Sequence, residues 1–372
     1  MEFTVSKSDL VRELGLSQGV VEKKTTIPIL SNILIEASGD RISLTATDLE
    51  LAIRCTCPAR VTREGAGTIP AKRLLDYVRL LPDADVQVKF ADNQWASLSC
   101  GRSRTRIAGM SRDTFPELPE SPEAIADVPA SVLTSLIART IFAISSEESR
   151  FTLNGALLLM KSDGVTMVAT DGHRLSMVQS PVSLALPSQY RALLPKKAMA
   201  ELMKLAGEAG GDALIHFAGD ENHLFFQLGG RLLISRKLTG NFPDFERVLP
   251  KEHPHCLKLT REEFRSAIER VSQFADERSR AIRLQINAGE AKVYSSISET
   301  GESEESMPVD YDGGQVEIGF NAQYMLDFMR AVPEDSVSFH FKDPHSAGEL
   351  RPVNADGSDG LTYRYVVMPM RI

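Results

Sequence analysis

The sequence predicts an α+β protein made of three tandem repeats, each with two helices on an antiparallel sheet. Two features of the 372 residues support this prediction. A short helix and a pair of alternating strands both return about every 125 residues. A period of that length is typical of a whole domain, whereas solenoid repeats are much shorter. We therefore expect three similar domains in tandem, a layout of helices packed on sheets.

The helices repeat at a nearly constant spacing. Three similar helical segments begin at Pro70, Pro195 and Asn321, which are 125 and 126 residues apart. They read "IPAKRLLDYVRLLP", "LPKKAMAELMKLAG" and "FNAQYMLDFMRAVP", with apolar residues at helical spacing. An earlier helix opens each third, in "SKSDLVRELGLSQGVVEK", "PASVLTSLIARTIFAIS" and "TREEFRSAIERVSQFADE". Thr260 and Glu263 in the last of these have the spacing of a capping box.

The strands follow the same period. Strand pairs are predicted in "NILIEA" with "ISLTATDLEL", in "GALLLMKS" with "VTMVATDGHRLSMV", and in "IRLQINA" with "AKVYSSISE". The turns at Asp48 and Asp171 share a Thr-Asp step, and Phe-Pro steps follow at Phe115 and Phe242. The predicted domains cover residues 1–120, 128–247 and 248–372. Three such domains suggest an arc, which a symmetric partner can close into a ring.

Composition excludes several classes of protein. Hydrophobic residues make up 42% and charged residues 25%, which is ordinary for a globular protein. No apolar run approaches the roughly 18 residues of a membrane span, and the start "MEFTVSKSDLV" does not resemble a secretory signal. Cys55 and Cys57 have no second pair nearby, so neither a disulfide framework nor a metal site is expected. The default prediction is a reduced, cytoplasmic protein without a membrane partner.

Several motifs together resemble one family. The triple repeat, the "TDLE" and "ATDGHRL" turns, "NFPDFERVLP" and the terminal "VVMPMRI" are similar to the bacterial DNA polymerase III beta subunit, the replicative sliding clamp family. The resemblance covers the chain from Met1 to Ile372. It implies a head-to-tail homodimer with six domains around a hole, helices inside and sheets outside. Such a ring encircles double-stranded DNA without reading its sequence, tethers the polymerase, and has no catalytic residues and no cofactor.

The charge distribution agrees with that implication. The net charge of the chain is −8. The six predicted helical segments carry a net charge of +5, and the remaining residues carry −13. The segments counted are residues 6–24, 71–82, 129–144, 195–209, 260–280 and 321–332. A ring that slides on DNA needs phosphate contacts that do not read bases. The basic residues expected to face DNA are Lys24, Arg73, Arg79, Lys196 and Lys197.

The resemblance also implies a groove for short linear motifs of partner proteins. Its matching positions are Leu153, Thr170, Gly172, His173, Arg174, Leu175, Pro243, Arg247, Val248, Val366, Val367, Met368, Pro369, Met370 and Arg371. The partners implied are the replicative polymerase alpha subunit, the clamp loader, repair polymerases and mismatch-repair proteins. Flexible methionines suit a groove that receives different partners in turn. The alternative interpretation of the apolar tail is a final strand in the core.

Two further regions carry expectations. At the subunit contact, the resemblance pairs Thr105 and Ile107 of one chain with Gln273 and Phe274 of the next. The polar segment at 342–360 is predicted to be an extended loop near the groove. At "RFTLNG", where the family often has aromatic residues, Phe151 keeps one and Thr152 does not.

An enzyme is the main rival interpretation. Asp171 and His173 would pair as base and orienting group, and "HPH" at 253–255 is a weak metal pattern. However, the sequence has no nucleophile elbow, phosphate-binding loop or HExxH motif. A structural or extracellular repeat protein is the third alternative. Nuclease, polymerase and hydrolase assays should be blank for a clamp, which should instead load on circular DNA.

Overall fold

The structure is a computed structural model that describes residues 1–21, 26–186, 188–210, 212–297, 301–353 and 360–371. Contacts divide the chain into two compact units. Unit 1 contains Met1–Thr134 and Lys197–Lys237, and unit 2 contains Ser135–Lys196 and Leu238–Ile372. The second predicted domain, 128–247, is therefore shared between the two units. The domain boundaries themselves stay a prediction.

Helices occur at the six predicted places, each directly after a strand. They are α1 (Lys7–Ser17), α2 (Ala71–Leu80), α3 (Ala130–Ala138), α4 (Lys196–Gly207), α5 (Arg261–Val271) and α6 (Ala322–Ala331). Ser6 caps α1 by accepting a hydrogen bond from the Asp9 amide, and Asn321 caps α6 in the same way. The prediction of a capping box at Thr260 is wrong, because the Thr260 side chain makes no capping hydrogen bond.

Groups of strands lie between successive helices along the chain. The first part contains β1 (Glu2–Ser6), β2 (Asn32–Ser38), β3 (Arg41–Thr47), β4 (Leu51–Pro58), β5 (Arg60–Arg63), β6 (Gly65–Pro70), β7 (Asp85–Phe90), β8 (Trp95–Cys100), β9 (Ser103–Ala108), β10 (Ala126–Pro129), β11 (Gly155–Lys161), β12 (Gly164–Thr170) and β13 (Arg174–Ser180). The second part contains β14 (Tyr190–Pro195), β15 (Leu214–Gly219), β16 (His223–Leu228), β17 (Arg231–Arg236), β18 (His255–Thr260), β19 (Ala281–Asn287), β20 (Glu290–Ile297), β21 (Gly301–Pro308), β22 (Val316–Asn321), β23 (Ser336–Phe341), β24 (Gly348–Pro352) and β25 (Thr362–Val367).

Each unit contains one eight-stranded sheet and one smaller sheet. In unit 1 the orders are β10-β15-β16-β17-β4-β3-β2-β6 and β5-β1-β7-β8-β9, and in unit 2 they are β14-β11-β12-β13-β25-β24-β23-β18 and β21-β20-β19-β22. Neighbouring strands are antiparallel, as predicted. The β17–β4 and β13–β25 pairs join strands from different predicted domains into single sheets. This pairing explains why the second predicted domain is shared.

The helices bury their apolar faces on these sheets. Helix α1 buries Leu10 and Leu14 beside α2, which buries Leu74, Leu75 and Val78. In unit 2, α5 and α6 pack together in the same way. Burying aliphatic side chains in this manner is the main favourable contribution to folding.

The structure corrects the loop predicted at 342–360, because β24 (Gly348–Pro352) lies within it and pairs with β23 and β25. Residues 354–359, Lys24 and Ile372 lie outside the described residues. Across the described ranges, no helix is long and apolar enough to cross a membrane.

Candidate functional site

The turn between β12 and β13 forms one wall of the candidate groove. The Thr170 hydroxyl donates to the Arg174 carbonyl at 2.6 Å and accepts from the Gly172 amide at 3.1 Å. Asp171 Oδ1 accepts from the amides of His173 at 2.9 Å and Arg174 at 3.1 Å. Gly172 has φ of 90°, a conformation that favours glycine. The sequence "TDGHR" therefore forms a rigid turn through local hydrogen bonds.

The chain's tail forms the opposite wall. In β25, Val366 lies opposite Leu175 of β13, and the Met368 amide then donates to the His173 carbonyl at 2.9 Å. Val366 is fully buried, whereas Met368 is 45% exposed. The tail is thus a core strand up to Val367, and Val366 and Met368 are its two residues that border the cavity described next. The core-strand interpretation is correct up to Val367, and the role of Met368 in a partner groove stays a prediction.

A cavity of about 120 Å³ lies between these walls. Ten residues line it: Leu153, Thr170, Gly172, Arg174, Leu175, Pro243, Phe245, Val248, Val366 and Met368. Nine of them are among the predicted groove positions, and Phe245 is the one that sequence reasoning missed. Phe245 belongs to the apolar cluster beneath the cavity, with Leu157, Val168 and Leu175. A mostly apolar concave site of this kind is typical of peptide and ligand binding.

Arg174 fixes the turn against α6. Its guanidinium pairs with Asp171 at 3.0 Å and with Asp327 at 2.6 Å, and it lies 4.3 Å from the Tyr324 ring centroid. Burial alone would lower the pKa of Arg174, but Tyr365 and Asp327 beside it raise the pKa above its usual value. The side chain therefore stays charged and holds the groove wall in place.

The structure places the other predicted groove positions outside the cavity. His173 and Arg247 are exposed, and Arg247 pairs with Asp244 at 2.8 Å. Val367 is fully buried, and since consecutive strand residues face opposite sides, it points away from the cavity that Val366 lines. Pro369, Met370 and Arg371 line a separate cavity of about 340 Å³ together with Arg283, Glu317, Gly319, Pro344 and His345.

Phe151 is 71% exposed and lies two residues before Leu153, which lines the cavity. A large apolar side chain held in solvent beside an apolar cavity is typical of a binding surface. Phe151 is therefore an additional candidate contact.

The residues of the rival interpretations have structural roles. Asp171 uses both carboxylate oxygens within its own turn, and His173 donates to it through the backbone amide. His253 bonds Glu349 at 2.7 Å, while His255 stacks on Phe341. Burial raises the pKa of the Cys55 and Cys57 thiols to about 12. Within the part of the chain that the structure describes, no group of three potential ligands is arranged for a metal ion.

Four of the five residues predicted to face DNA are described. Arg73 and Arg79 are exposed on α2, and Lys196 is exposed at the start of α4. Lys197 is also exposed, but its ammonium already pairs with Asp48. Glu262 and Glu269 neutralise much of the positive charge of Arg265 and Arg330 on α5 and α6. Among the four described residues, Arg73, Arg79 and Lys196 therefore stay the predicted contacts with DNA.

Two sheet edges carry opposite charge. Strand β9 ends the five-stranded sheet of unit 1 and exposes Arg104 and Arg106. Strand β21 ends the four-stranded sheet of unit 2 and exposes Glu302 and Glu304. Near the second edge Phe274 is 37% exposed, whereas Ile107 in β9 is only 4% exposed and therefore belongs to the core of unit 1. Unpaired edges of this kind are templates for pairing with another chain.

Models of the DNA polymerase III beta subunit match the chain in three consecutive parts. The N-terminal domain model matches residues 1–119, the central domain model 127–244, and the C-terminal domain model 246–371.

Individual relatives agree with these matches. The beta sliding clamp of Pseudomonas putida is 34% identical over 375 residues, covering 100% of both chains. That of Chlamydia pneumoniae is 34% identical over 373 residues, covering 100% of this chain and 99% of its own. The crystal structure of the DNA polymerase III subunit beta from Pseudomonas aeruginosa has a TM-score of 0.93 at 33% identity, covering 100% of both chains. The chain therefore belongs to the DNA polymerase III beta subunit family, the bacterial sliding clamps.

Proposed function

We propose that this protein is a DNA sliding clamp, which encircles duplex DNA as a head-to-tail dimeric ring and tethers its partners through an apolar groove. The observation that carries the proposal is the cavity between the "TDGHR" turn, the Pro243–Val248 segment and the tail. It combines apolar walls with fixed polar groups on rigid elements, as a site for short peptides requires.

The finer parts of the function follow from this role. We propose three clamp domains with the boundaries given above and a non-catalytic, cytoplasmic processivity factor. Its partners would be the polymerase alpha subunit, the clamp loader, repair polymerases and mismatch-repair proteins. They would compete for the groove through short motifs with a glutamine followed by leucine or phenylalanine anchors. Affinity should be around micromolar, because a flexible segment loses entropy when it is ordered.

The function is tested by loading on circular DNA. The protein should be retained on nicked circular DNA after gel filtration and released when a restriction enzyme linearises the circle. Retention that survives linearisation would indicate ordinary DNA binding and would contradict a ring. Adding the protein to its polymerase should lengthen the products of single binding events.

The basic residues of α2 and α4 should determine contact with DNA. Replacing Arg73, Arg79 and Lys196 together by glutamate is expected to reduce the amount of protein loaded on circular DNA roughly tenfold at moderate salt, because phosphate contacts are lost. Loading should also become less sensitive to salt. The control replaces Arg60, Lys161 and Arg191, which are exposed on strands, by glutamate, so both triple variants change the net charge equally. Equal loss in both triple variants would contradict a specific DNA-facing surface.

The dimer should depend on the two charged edges. At 40.9 kDa per chain, light scattering should give a mass of about twice that value. Replacing Phe274 by aspartate should shift the protein towards monomer, because a charge would be buried in the contact. Replacing the more exposed Phe151 by aspartate is the control and should leave the dimer intact.

Charge exchange provides a second test of the same contact. A chain with Arg104→Glu and Arg106→Glu should dimerise weakly, and adding Glu302→Arg and Glu304→Arg should restore the dimer. The fully exchanged chain should not mix with the original one. Free mixing would show that these edges do not meet.

A further inference from the structure

We propose that unit 1 contains a second peptide-binding groove, suited to a short segment in which an apolar side chain is flanked by lysine or arginine. This second groove lies between the β3–β4 turn, the segment Pro116–Pro119 and the end of β17. The inference rests on the proposed function of the first groove, because both are built in the same way.

The turn between β3 and β4 repeats the hydrogen bonds of the "TDGHR" turn. The Thr47 hydroxyl donates to the Leu51 carbonyl and accepts from the Leu49 amide, both at 3.0 Å. Asp48 Oδ1 accepts from the amides of Glu50 at 2.9 Å and Leu51 at 2.7 Å. All four bonds have counterparts in the turn of the first groove. The two turns are therefore the same rigid unit with different side chains.

The neighbouring strand also repeats. Ile234 of β17 lies opposite Ala52 of β4, as Val366 lies opposite Leu175. The next step is the same, since the Arg236 amide donates to the Glu50 carbonyl at 2.8 Å. Arg236 therefore occupies the place that Met368 has in the first groove.

In both grooves the third wall is the linker that begins at a Phe-Pro step, Phe115-Pro116 in one and Phe242-Pro243 in the other. Pro116 and Leu118 follow Phe115, as Pro243 and Phe245 follow Phe242. Leu118 packs on the apolar cluster that contains Ala52, Phe225 and Ile234. The resulting cavity is about 160 Å³, compared with about 120 Å³ in the first groove. It is large enough to accept an apolar side chain.

Leu49 presents an apolar side chain at the mouth of the second groove. It has φ of 79°, where the first groove has Gly172 at 90°, and it is 49% exposed. A leucine in the left-handed region is an outlier, and such outliers concentrate at functional sites. The turn thus holds an aliphatic side chain in solvent beside an apolar cavity, where a bound peptide would cover it.

The charges around the second groove determine the kind of peptide. Glu50 and Arg236 form an ion pair at 3.2 Å, but their side chains are 70% and 53% exposed, so the pair contributes little and opens easily. The adjoining linker adds the exposed residues Glu117, Glu120 and Glu123. After the Phe-Pro step of the first groove, Arg247 pairs with Asp244, so that segment is less acidic than the one beside the second groove. The second groove should therefore favour basic residues beside the apolar anchor, which separates its ligands from those of the first.

The test uses defined peptides and the full-length protein. The probe is a fluorescein- and benzophenone-labelled peptide, Ser-Lys-Leu-Lys-Phe, and its counterpart is Ser-Glu-Leu-Glu-Phe. After irradiation, mass spectrometry should find the basic probe attached within 116–119 or 234–236, and the acidic peptide should not label these segments. Fluorescence polarisation should show that the Kd of the basic probe rises roughly tenfold with Leu49→Gly and with Glu50→Lys. Asp83→Lys, an exposed charge reversal outside the groove, should leave the Kd unchanged.

Leu49→Gly also relieves the backbone conformation, so loss of binding cannot be attributed to unfolding. Labelling that is equal for both peptides, unaffected by both variants, or confined to the first groove would overturn the proposal. A peptide with a glutamine followed by leucine and phenylalanine serves as the reference for the first groove. Its failure to bind would overturn the proposed function, whereas its binding while the basic probe fails would overturn only the second groove.

Discussion

Replacing Met368 by glutamate is expected to weaken binding of a partner peptide by a factor of about 100 while leaving the melting temperature nearly unchanged. Met368 lines the cavity and is 45% exposed in the free protein, so the new carboxylate would remain hydrated until a peptide covers it. Binding would then desolvate an unpaired charge, at a cost of about 3 kcal/mol or more. Fluorescence polarisation with a labelled peptide carrying glutamine, leucine and phenylalanine measures the effect.

The tail itself provides the matched control. Met370 is two residues further on but lines the other cavity, so Met370→Glu should change peptide affinity by no more than about threefold. Deleting Met368 to Ile372 should resemble Met368→Glu, since the buried residues of β25 remain. Equal effects of the two point variants would show that the peptide extends over both cavities. A large fall in melting temperature after deletion would mean that the tail is structural beyond Val367.

Local chemistry explains why much of the site was predictable. The Thr-Asp turns close through hydrogen bonds between neighbouring residues, so their shape follows from sequence alone. The resemblance then supplied the segments that meet these turns, and nine of its positions line the cavity. Phe245 was missed because an aromatic residue after Phe-Pro reads equally well as core, and here it serves both purposes.

Errors arose where contacts between distant residues decide the structure. Val366 and Val367 are equally apolar, and only the register of β25 on β13 determines that Val366 lines the cavity. The segment at 342–360 is predicted to be a loop because its polar residues outnumber its apolar ones. Its strand β24 exists because the chain pairs on both sides with β23 and β25, which no local pattern reveals.

Glu349 in β24 is the clearest example of such a hidden contact, and it should dominate the acid stability of unit 2. Its side chain is fully buried. Its carboxylate oxygens accept hydrogen bonds from Arg364 at 2.6 and 2.8 Å and from Arg351 at 2.7 Å. One of these oxygens also lies within hydrogen-bonding distance of His253 Nε2, at 2.7 Å. Burial alone would raise the pKa of Glu349, but the bonds from Arg364 and Arg351 lower it from 4.5 to about 2.

The sign of the pH effect follows from that lowered pKa. The folded protein binds the Glu349 proton less tightly than the unfolded chain, so the ionised carboxylate stabilises folding above about pH 4.5. This contribution, on the order of 3 kcal/mol, is lost as the pH falls from about 4.5 to 2. Glu349→Gln should remove it at neutral pH and flatten the acid dependence. It would also leave the half-buried Arg351 and Arg364 without their anion, so the total loss should reach roughly 3–5 kcal/mol.

Urea unfolding of Glu349→Gln, followed by circular dichroism between pH 7 and pH 3, measures both effects. The single tryptophan, Trp95, lies in unit 1, so its fluorescence provides an internal reference for the part of the chain that does not contain Glu349. Glu290→Gln is the matched control, because Glu290 is exposed in the same unit and its loss should change stability by less than about 0.5 kcal/mol. If Glu349→Gln and Glu290→Gln unfold at the same urea concentration at pH 7, the buried carboxylate does not hold β24 in the sheet. If the tryptophan signal shifts as much as the circular dichroism does, the effect is not confined to unit 2.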